Sequence, residues 1–579
     1  MRVVLDTDWS GERFAAARAR GGRLHYIAVA PALPPAGTVS DAALRAAWPL
    51  NVPGFHRVIL DGEVTLDLLV GALDAVLPQI AARVNHFHLC ASVTPPMART
   101  LARLAVQDAT LHARAPDEAL VWALTAAGFA CRIARPLSVH DGREDSLRGT
   151  AEPCATEGPP DAGDAAPDID AVYRSRRPQP ALAQEPARRA VVIGAGLAGA
   201  SAAHRLCARG WEVTLIERHA QPAQEASGNL AGIFMPLLSK DDNIPTRLSR
   251  AAYLFALREW RRLGGVGSAF EGADCGVLQL ARDERHAVVQ QEALATWNYP
   301  AQYARWADAQ EASALIGALA PHGGWLFEHG GWARPSSLCE AMLNACGERL
   351  RRVFSTEALS LRRVDGVWQV RGADGTLIAQ APTAILASGA QAGQIEQAAE
   401  LPLFKLRGQV THLAAESNPP VLPLVVCREA YVTPPSNGIV CAGATYDNDD
   451  DPALRASSQL ENLTRLAEII PGDDVAALAQ TAPLAGRVGF RCAAPDRLPL
   501  AGALPDYANA GRLEFLPDVP CHEGLYCLLG YASRGLIWAP LMAELLVSQL
   551  EGTPPPLEAV LIDALHPGRF LLKQRRRSQ

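Results

Sequence analysis

Residues 188–218 read RRAVVIGAGLAGASAAHRLCARGWEVTLIER, and this stretch decides the fold of most of the chain. An apolar run turns through glycines into a helix-forming segment, and a second apolar run follows and ends at Glu217. That order predicts the strand, helix and parallel strand of a Rossmann-type α/β unit. VWQVRG (367–372) and PTAILASGAQAG (382–393) are expected to be later strands of the same fold.

Three glycines in this stretch, Gly194, Gly196 and Gly199, have the GxGxxG spacing of a dinucleotide site. The first permits a tight turn, the second lets the backbone approach a pyrophosphate, and the third allows the helix to pack closely on the strand. The helix N-terminus offers free N–H groups to phosphate. Glu217 can accept both hydroxyls of a ribose that has no 2′-phosphate. The prediction depends on this whole order, since isolated glycine-rich turns are common in loops that bind nothing.

Two other segments favour FAD over NAD. AQEASGNLAGIFMPLLS (223–239) can lie along the cofactor, which makes Ser227, Gly228 and Asn229 candidate cofactor residues. LLGYASRGLIWAP (528–540) places a glycine turn between a strand and the last long helix, whose N-terminus can stabilise a reduced flavin. The candidates in this turn are Gly530, Ser533, Arg534 and Gly535. Arg534 has two interpretations, a contact to flavin or RNA phosphate and a solvated turn residue.

The chain has 579 residues, so two or three folding units are expected. Residues 141–188 are rich in Pro, Ala, Gly and acids without an apolar period, and we interpret them as a linker. Short apolar runs alternate with helix-like stretches such as 66–80 and 97–106 in the preceding part, which predicts an α/β domain over 1–140. The flavin domain is then expected over 189–579.

Composition excludes several classes of protein. Hydrophobic residues make up 49% and charged residues 20%, and no apolar run reaches the ~18 residues of a membrane span. The N-terminus has no secretion-signal pattern, so a cytoplasmic protein is expected. The cysteines have no metal-ligand spacing, which predicts reduced thiols and no metal site. A net charge of −7 argues against a surface coated in positive charge, but it leaves a local basic groove possible.

The chain from about residue 189 to its end resembles the family of bifunctional tRNA 5-methylaminomethyl-2-thiouridine biosynthesis proteins (MnmC). The wider relatives are the glycine oxidase and D-amino acid oxidase group. The resemblance implies an FAD-binding Rossmann domain with an interleaved α+β substrate domain of the D-amino acid oxidase type. Besides residues 188–218, it rests on ASGNLAGIFMPLLS, GGWARPSSLCEAML, LRGQVTHL, GATYDNDD, GRVGFRCAAPDRLPLAGALPD and GLYCLLGYASRGLIWAPLMAELL.

The same resemblance implies a tRNA wobble uridine with a carboxymethylaminomethyl group as substrate. FAD-dependent oxidation would release glyoxylate and leave the aminomethyl uridine, with dioxygen as the expected electron acceptor. Arg491 matches the arginine that clamps the substrate carboxylate, and Tyr431 can add a hydroxyl to that clamp. The structural alternatives are an ion pair of Arg491 with the nearby Asp496 and a core role for Tyr431.

In this family the N-terminal domain is an S-adenosylmethionine-dependent methyltransferase, and here its signatures are altered. VVLDTDWSGERFAAARA (3–19) has Gly11 alone where a glycine-rich turn is expected. HLCASVTPPMARTL (88–101) replaces the family's Asp-Xaa-Phe-Ala-Pro segment and the Asn-Pro after it. Family sequence ahead of Met1 is also expected to be missing. We predict a Rossmann-like, methyltransferase-type domain that is degenerate, so S-adenosylmethionine is a cofactor only if methyl transfer survives. A docking or supporting role and a folded relic both remain open for it.

Two rival functions remain at this level. One is an FAD-dependent oxidase of small amines or amino acids, such as glycine or sarcosine, with no RNA partner. The other is a tRNA-binding flavoprotein whose flavin is structural. Reduction of the flavin by modified tRNA separates these from the tRNA-modifying oxidase.

Overall fold

The computed structural model describes residues 1–90, 92–114, 117–133, 169–173, 187–414, 421–470 and 484–577. The chain divides into two compact units: the first takes in residues 1–31 and 63–182, and the second takes in residues 32–62 and all residues from 183 on. Most of the predicted linker, 141–188, lies outside the described residues. The boundaries at 140 and 189 therefore stay predictions.

The first unit contains a Rossmann-like sheet, as predicted. Five parallel strands are followed by two antiparallel ones at one edge, and the strands are short and largely apolar, as expected for a sheet covered on both faces. Their spatial order is Val64–Val70, Leu24–Ala30, Arg2–Asp6, Val84–Leu89, Ala105–Ala113, Ile169–Tyr173 and Phe129–Ile133. The helices are Gly11–Ala19, Leu73–Val76, Pro95–Leu104 and Glu118–Ala126, with a 3₁₀ turn at Leu77–Gln79.

One helix prediction in this unit is wrong. Residues 66–80 were expected to be helix-like, whereas Val64–Val70 is a strand and the helix after it is the short Leu73–Val76. Every residue of this strand is buried. Because a strand covered on both faces has a continuous apolar run, its sequence lacks the alternation that would distinguish it from a buried helix. The helix expected over 97–106 is present as Pro95–Leu104.

The second unit holds the predicted nucleotide-binding sheet. Five of its strands are parallel and the last pairs antiparallel. The order is Leu350–Val353, Glu212–Ile216, Arg189–Ile193, Thr383–Leu386, Cys521–Leu529 and Leu500–Pro505. VWQVRG forms the strand Val367–Arg371, but it belongs to a separate antiparallel sheet with Ser360–Val364 and Leu377–Ala381. Its alternating burial is typical of a half-covered antiparallel strand.

A second large sheet, of eight strands, is interleaved with the first along the chain, which confirms the predicted α+β substrate domain. Its order is Arg305–Ala307, Gly324–Phe327, Val277–Leu280, Val425–Cys427, Tyr431–Val432, Ile439–Gly443, Phe404–Ala414 and Ala485–Ala493. A small sheet has the order Gly232–Phe234, Gly331–Ala333 and Gly272–Ala273. Residues 32–62 contribute the 3₁₀ turn Ala36–Thr38, the helix Ala42–Ala46 and the strand Gly54–Ile59 to this unit.

Two helices of the second unit form the centre of its core. The nucleotide helix, Leu197–Ala208, consists largely of small residues, so the buried C-terminal helix, Gly535–Glu551, can pack closely against it. The other helices are Ile244–Arg262, Glu284–Trp297, Ala309–Ile316, Pro335–Ala345, Ala456–Ile469, Ala559–Leu565 and Arg569–Arg577. The 3₁₀ turns are Ala226–Gly228, Gly347–Arg349, Gly389–Gln394, Glu396–Ala398 and Leu516–Asp518.

An ionic network is buried beside these helices. Glu544, on the C-terminal helix, accepts hydrogen bonds from Arg205 (2.7 Å), Arg209 (2.7 Å) and Arg57 (2.9 Å). The three guanidinium groups hold the pKa of Glu544 well below its usual range, even though its burial acts in the opposite direction. Arg57 belongs to the segment 32–62, so this network joins that segment to the rest of the second unit.

Two general properties concern the described residues as a whole. Every cysteine among them is a free thiol. None of their helices combines the length and apolar character that crossing a membrane requires.

Candidate functional site

The glycine turn after the strand Arg189–Ile193 leaves no space for side chains. Gly194 has a φ of +103°, and a Cβ there would lie 2.7 Å from the carbonyl oxygen of Ala387. A Cβ on Gly199 would lie 1.7 Å from the carbonyl oxygen of Gly194. Gly196 is the N-cap of the nucleotide helix and gives it no side-chain cap, so the N–H groups of Ala198 and Gly199 in the first turn stay available to an anion.

Glu217 is fixed directly beside this turn. One carboxylate oxygen accepts the N–H of Ala195 at 2.8 Å, and the other accepts the N–H of His219 at 3.0 Å. The side chain is nearly buried, with 8% of the residue exposed. Each oxygen keeps a further lone pair, so the carboxylate can accept ribose hydroxyls without giving up its backbone contacts.

A cavity of about 990 Å³ opens in front of the turn. This volume lies at the upper end of the range for small-molecule and cofactor sites. All of the predicted site residues line the cavity except Gly199 and Gly228. Gly199 lies behind it, against the Gly194 carbonyl, and a Cβ on Gly228 would lie 2.8 Å from the carbonyl oxygen of Ala223.

The loop that carries Ser227 and Asn229 is held by Arg487. Its guanidinium donates to the carbonyl oxygens of Gln224 (2.7 Å) and Glu225 (2.6 Å) and, at 3.3 Å, to the side-chain oxygen of Asn229. Ser227 Oγ accepts the N–H of Leu197 at 3.1 Å, which ties the loop to the start of the nucleotide helix. The loop therefore has a defined position along one wall of the cavity.

Arg491 lies on the strand Ala485–Ala493 and reaches the cavity from the substrate sheet. Its guanidinium donates to the carbonyl oxygen of Thr445 at 3.1 Å and lies 4.3 Å from the centre of the Tyr446 ring. No carboxylate within the described ranges forms an ion pair with it. The proposed alternative partner, Asp496, is instead bound by Arg569 at 2.8 and 2.9 Å. Arg491 thus has donors free for an anionic ligand.

Space for this guanidinium comes from the neighbouring strand. In the register between Phe404–Ala414 and Ala485–Ala493, Gly408 pairs with Gly489, which lies two residues before Arg491 and on the same face of the sheet. A Cβ on Gly408 would lie 2.1 Å from a terminal nitrogen of Arg491. The absence of a side chain at Gly408 therefore allows the Arg491 side chain to extend toward the cavity.

Tyr431 approaches the same region from the short strand Tyr431–Val432. Burial raises the pKa of its phenol, so the hydroxyl stays protonated and can donate a hydrogen bond at neutral pH. Its hydroxyl has no hydrogen-bond partner in the part of the chain that the structure describes. The side chain can therefore offer its proton to a ligand in the cavity.

Arg534 is the N-cap of the C-terminal helix and also lines the cavity. Burial lowers the pKa of its guanidinium from the ordinary value. Its side chain forms no ion pair or hydrogen bond with any described residue. Gly530 and Gly535 flank it, and Gly530 has a positive φ of +74°. The N-terminus of the C-terminal helix thus faces the same cavity as the N-terminus of the nucleotide helix.

Several residues that line the cavity or shape it were not predicted from the sequence. Gly408 has no recognisable signal, since its role depends on a neighbouring strand. Tyr446 lies in GATYDNDD, a segment that supports the resemblance without marking this residue as part of a site. Other lining residues outside the predictions include Thr356, Ser388, Gln391, Lys405, Trp325 and His286.

The first unit differs at the corresponding turn. Asp6, at the end of the strand Arg2–Asp6, is fully buried and accepts hydrogen bonds from Arg13 (2.7 Å) and the Tyr26 hydroxyl (2.6 Å). Gly11 starts the next helix with open space around it. The turn is therefore held by side chains.

No group of three or more His, Cys, Asp or Glu side chains in the described ranges is arranged to hold a metal ion.

Comparison with known proteins gives consistent results. Residues 189–549 match the family of FAD dependent oxidoreductases. The chain is 44% identical over 552 residues to the tRNA 5-methylaminomethyl-2-thiouridine biosynthesis bifunctional protein MnmC of Azoarcus sp. (strain BH72), and the match covers 92% of this chain and 81% of that protein. With the glycine turn and Glu217, these matches identify FAD as the cofactor of the second unit.

Two solved structures resemble the second unit. The glycine oxidase of Geobacillus kaustophilus has a TM-score of 0.54 at 21% identity, covering 66% of this chain and 99% of that chain. The iminodiacetate oxidase of Chelativorans sp. BNC1 has a TM-score of 0.50 at 26% identity, covering 63% and 96%. The first likeness shows the fold alone.

Proposed function

The chain belongs to the MnmC family of tRNA 5-methylaminomethyl-2-thiouridine biosynthesis bifunctional proteins, and from this premise we propose that its second unit removes the carboxymethyl group from 5-carboxymethylaminomethyl-(2-thio)uridine in tRNA. The product is 5-aminomethyl-(2-thio)uridine. The observation that carries the proposal is Arg491, a guanidinium without a carboxylate partner among the described residues, in the same cavity as the glycine turn. The substrate group is an N-alkylated glycine and therefore brings a carboxylate.

FAD fits the second unit, because the glycine turn excludes side chains and two helix N-termini face the cavity. When bound, FAD would be the oxidant that accepts the hydride from the glycine carbon of the substrate, and water would then split the resulting imine into glyoxylate and the aminomethyl nucleoside. Dioxygen is the proposed final electron acceptor.

The residues of the chain orient the substrate. Arg491 can bind the carboxylate through two N–H groups, which fixes the adjacent carbon. The backbone carbonyl of Thr445 restricts the rotation of this guanidinium by accepting a hydrogen bond from it. Tyr431 can donate its hydroxyl proton to the same carboxylate. No general base is needed if the amine enters neutral.

The name of one solved relative supports this substrate class. Iminodiacetate is an N-carboxymethyl amine, and the iminodiacetate oxidase that resembles this chain is 26% identical to it. The same observation favours a second candidate, an oxidase of free small N-carboxymethyl amines without an RNA substrate. The two functions differ only in what is attached to the amine.

The test is anaerobic stopped-flow reduction of the flavin, followed by mass spectrometry of the wobble nucleoside. We expect tRNA with the carboxymethylaminomethyl group to reduce the flavin and to yield the aminomethyl nucleoside and glyoxylate. The matched control is tRNA with an unmodified wobble uridine. Reduction by iminodiacetate or sarcosine but not by the modified tRNA would replace the proposal with the small-molecule oxidase. A flavin that stays oxidised with every substrate would favour a structural role.

We also propose that the methylation step of the family is lost in this chain. Asp6 accepts hydrogen bonds from Arg13 and from the Tyr26 hydroxyl at the start of the turn where a glycine-rich loop would let a cofactor approach the backbone. The measurement is transfer of a labelled methyl group from S-adenosylmethionine to aminomethyl tRNA, for which we expect no incorporation. Methylaminomethyl uridine among the products would refute the loss.

A further inference from the structure

Tyr446 combines exposure with a place in the active-site cavity. Among the large apolar side chains that are exposed in the described part of the chain, it is the one that also lines the cavity. The residue is 55% exposed. An aromatic ring in this position is unusual, because leaving it in water forfeits the free energy that burial would give.

The backbone on both sides of Tyr446 is fixed. Thr445 donates its N–H to the carbonyl oxygen of Gln409 at 3.2 Å, and its own carbonyl accepts from Arg491. Asp447 exchanges two backbone hydrogen bonds with Arg407, at 2.9 and 3.0 Å. The fully buried Arg407 guanidinium also binds the Asp447 carboxylate at 3.1 Å. Tyr446 is therefore presented on a rigid support.

One face of the ring is already covered. The Arg491 guanidinium carbon lies 4.3 Å from the ring centre, within the range of a cation–π contact. Because Arg491 takes this face, the exposed part of the ring consists of the other face and the edge. Tyr446 lines the same cavity in which Arg491 keeps free donors.

We propose that Tyr446 is the platform on which the wobble base stacks while Arg491 holds the carboxylate of the same substrate. This inference rests on the proposed function and names the residue that distinguishes a nucleobase from a small amine. Four covalent bonds separate the carboxylate carbon from the base ring in the substrate, a span of roughly 5 Å. The base therefore arrives close to the ring that adjoins Arg491. Stacking of splayed-out bases on aromatic side chains is a general mode of single-stranded RNA recognition.

The test compares two substrates with the same reacting group. One is tRNA with the carboxymethylaminomethyl uridine, and the other is N-ethylglycine, which keeps the carboxymethylamine and lacks the base. We expect Tyr446→Leu to lower the ratio of kcat/KM for tRNA to that for N-ethylglycine by about 5- to 150-fold, the range measured for single base–aromatic stacks. Tyr446→Phe and Tyr446→Trp keep an aromatic face and are expected to restore the ratio to within about threefold of wild type.

The control variant is Leu460→Ala, because Leu460 is comparably exposed at 57% but lies outside the cavity. It is expected to leave both rates unchanged. Flavin content, read from absorbance, checks that each variant is folded. A purely structural role predicts that Tyr446→Leu lowers both rates together and that Tyr446→Trp, which is larger, also lowers them.

The outcomes separate this inference from its premise. If wild-type protein oxidises the tRNA and Tyr446→Leu keeps the wild-type ratio, stacking is refuted and the proposed function stands. If Tyr446→Leu and Tyr446→Phe lose tRNA activity equally, the hydroxyl is what matters and stacking is again refuted. If wild-type protein does not oxidise the tRNA, both proposals fail.

Discussion

Substitution of Gly199 by alanine tests how the glycine turn binds FAD. A Cβ at this position would lie 1.7 Å from the carbonyl oxygen of Gly194, whereas real Cβ atoms essentially never come within 3.0 Å of such a neighbour. The obstacle is backbone, which cannot rotate away as a flexible side chain can. The nucleotide helix must therefore move from the strand Arg189–Ile193 by more than about 1.3 Å.

The displacement moves the N–H groups at the start of the nucleotide helix, which would bind the pyrophosphate of FAD. Hydrogen bonds to a charged group contribute about 1.5–3 kcal/mol each. Losing two of them costs roughly 3–6 kcal/mol, which weakens FAD binding by about 10²- to 10⁴-fold. Overpacking adds roughly 1–3 kcal/mol of lost stability. We expect Gly199→Ala to purify largely without flavin.

The assay is a titration of the apoprotein with FAD in which the quenching of flavin fluorescence measures binding. Gly393→Ala is the matched control: a Cβ there meets nothing within 4 Å, although Gly393 belongs to a turn whose residues partly line the same cavity. It should bind FAD as wild type does. Full FAD occupancy and an unchanged Kd in Gly199→Ala would refute the inference that helix–strand packing sets the site.

Three further substitutions have defined expectations. Arg491→Met should lower kcat/KM for modified tRNA by about 10²- to 10⁴-fold in steady-state assays, and Arg491→Lys should restore only part of it because a bidentate contact is lost. The control is Arg512→Met, since Arg512 is exposed and lies outside the cavity. Glu544→Gln removes the buried negative charge that Arg57, Arg205 and Arg209 share, and it should lower the free energy of unfolding by about 3–5 kcal/mol in urea titrations. Glu461→Gln, in a surface pair, should change it by less than about 0.5 kcal/mol. His56 is buried and donates to the carbonyl oxygen of Val52. Its burial, together with the charge of nearby Arg258, lowers its pKa to about 3. As the pH falls below 6.5, the unfolded chain therefore takes up a proton at this histidine before the folded chain does. The free energy of unfolding of wild type should therefore fall by up to about 1.4 kcal/mol per pH unit below pH 6.5, relative to that of His56→Gln. If substitution of the exposed His329 by Gln changed the pH dependence equally, burial of His56 would not be the cause.

The nucleotide-binding fold could be predicted from one stretch because its determinants are local. A strand, a glycine turn, a helix and a second strand follow one another within residues 188–218, and each depends on residues close in sequence. The strand Val64–Val70 shows the opposite case. Whether an apolar run forms a strand or a helix depends on the layers that cover it, and these come from distant parts of the chain.

The candidate site was predictable to the extent that its residues belong to recognisable segments. Arg491 and Tyr431 came from the resemblance, and the structure brings both to the cavity with the glycine turn. Gly408 and Tyr446 could not be assigned a role in this way. The role of Gly408 depends on the strand register that brings it beside Arg491. The role of Tyr446 depends on exposure, which only the packed fold determines.

The placement of residues 32–62 also depends on contacts with distant parts of the chain, which the sequence alone does not reveal. These residues precede the predicted linker, yet the second compact unit includes them. Arg57 accounts for this physically: its guanidinium is buried and bonds to Glu544, to Ser548 Oγ at 3.0 Å and to the carbonyl oxygen of Pro554 at 2.6 Å. No local sequence pattern predicts such a contact, since Arg57 and Glu544 are separated by almost 500 residues. A fragment that begins at Arg189 would leave these acceptors without their donor, so we expect it to bind FAD but to unfold at lower urea concentration than the full chain. Equal midpoints for fragment and full chain, measured by flavin fluorescence, would show that the segment adds nothing to the stability of the flavin unit.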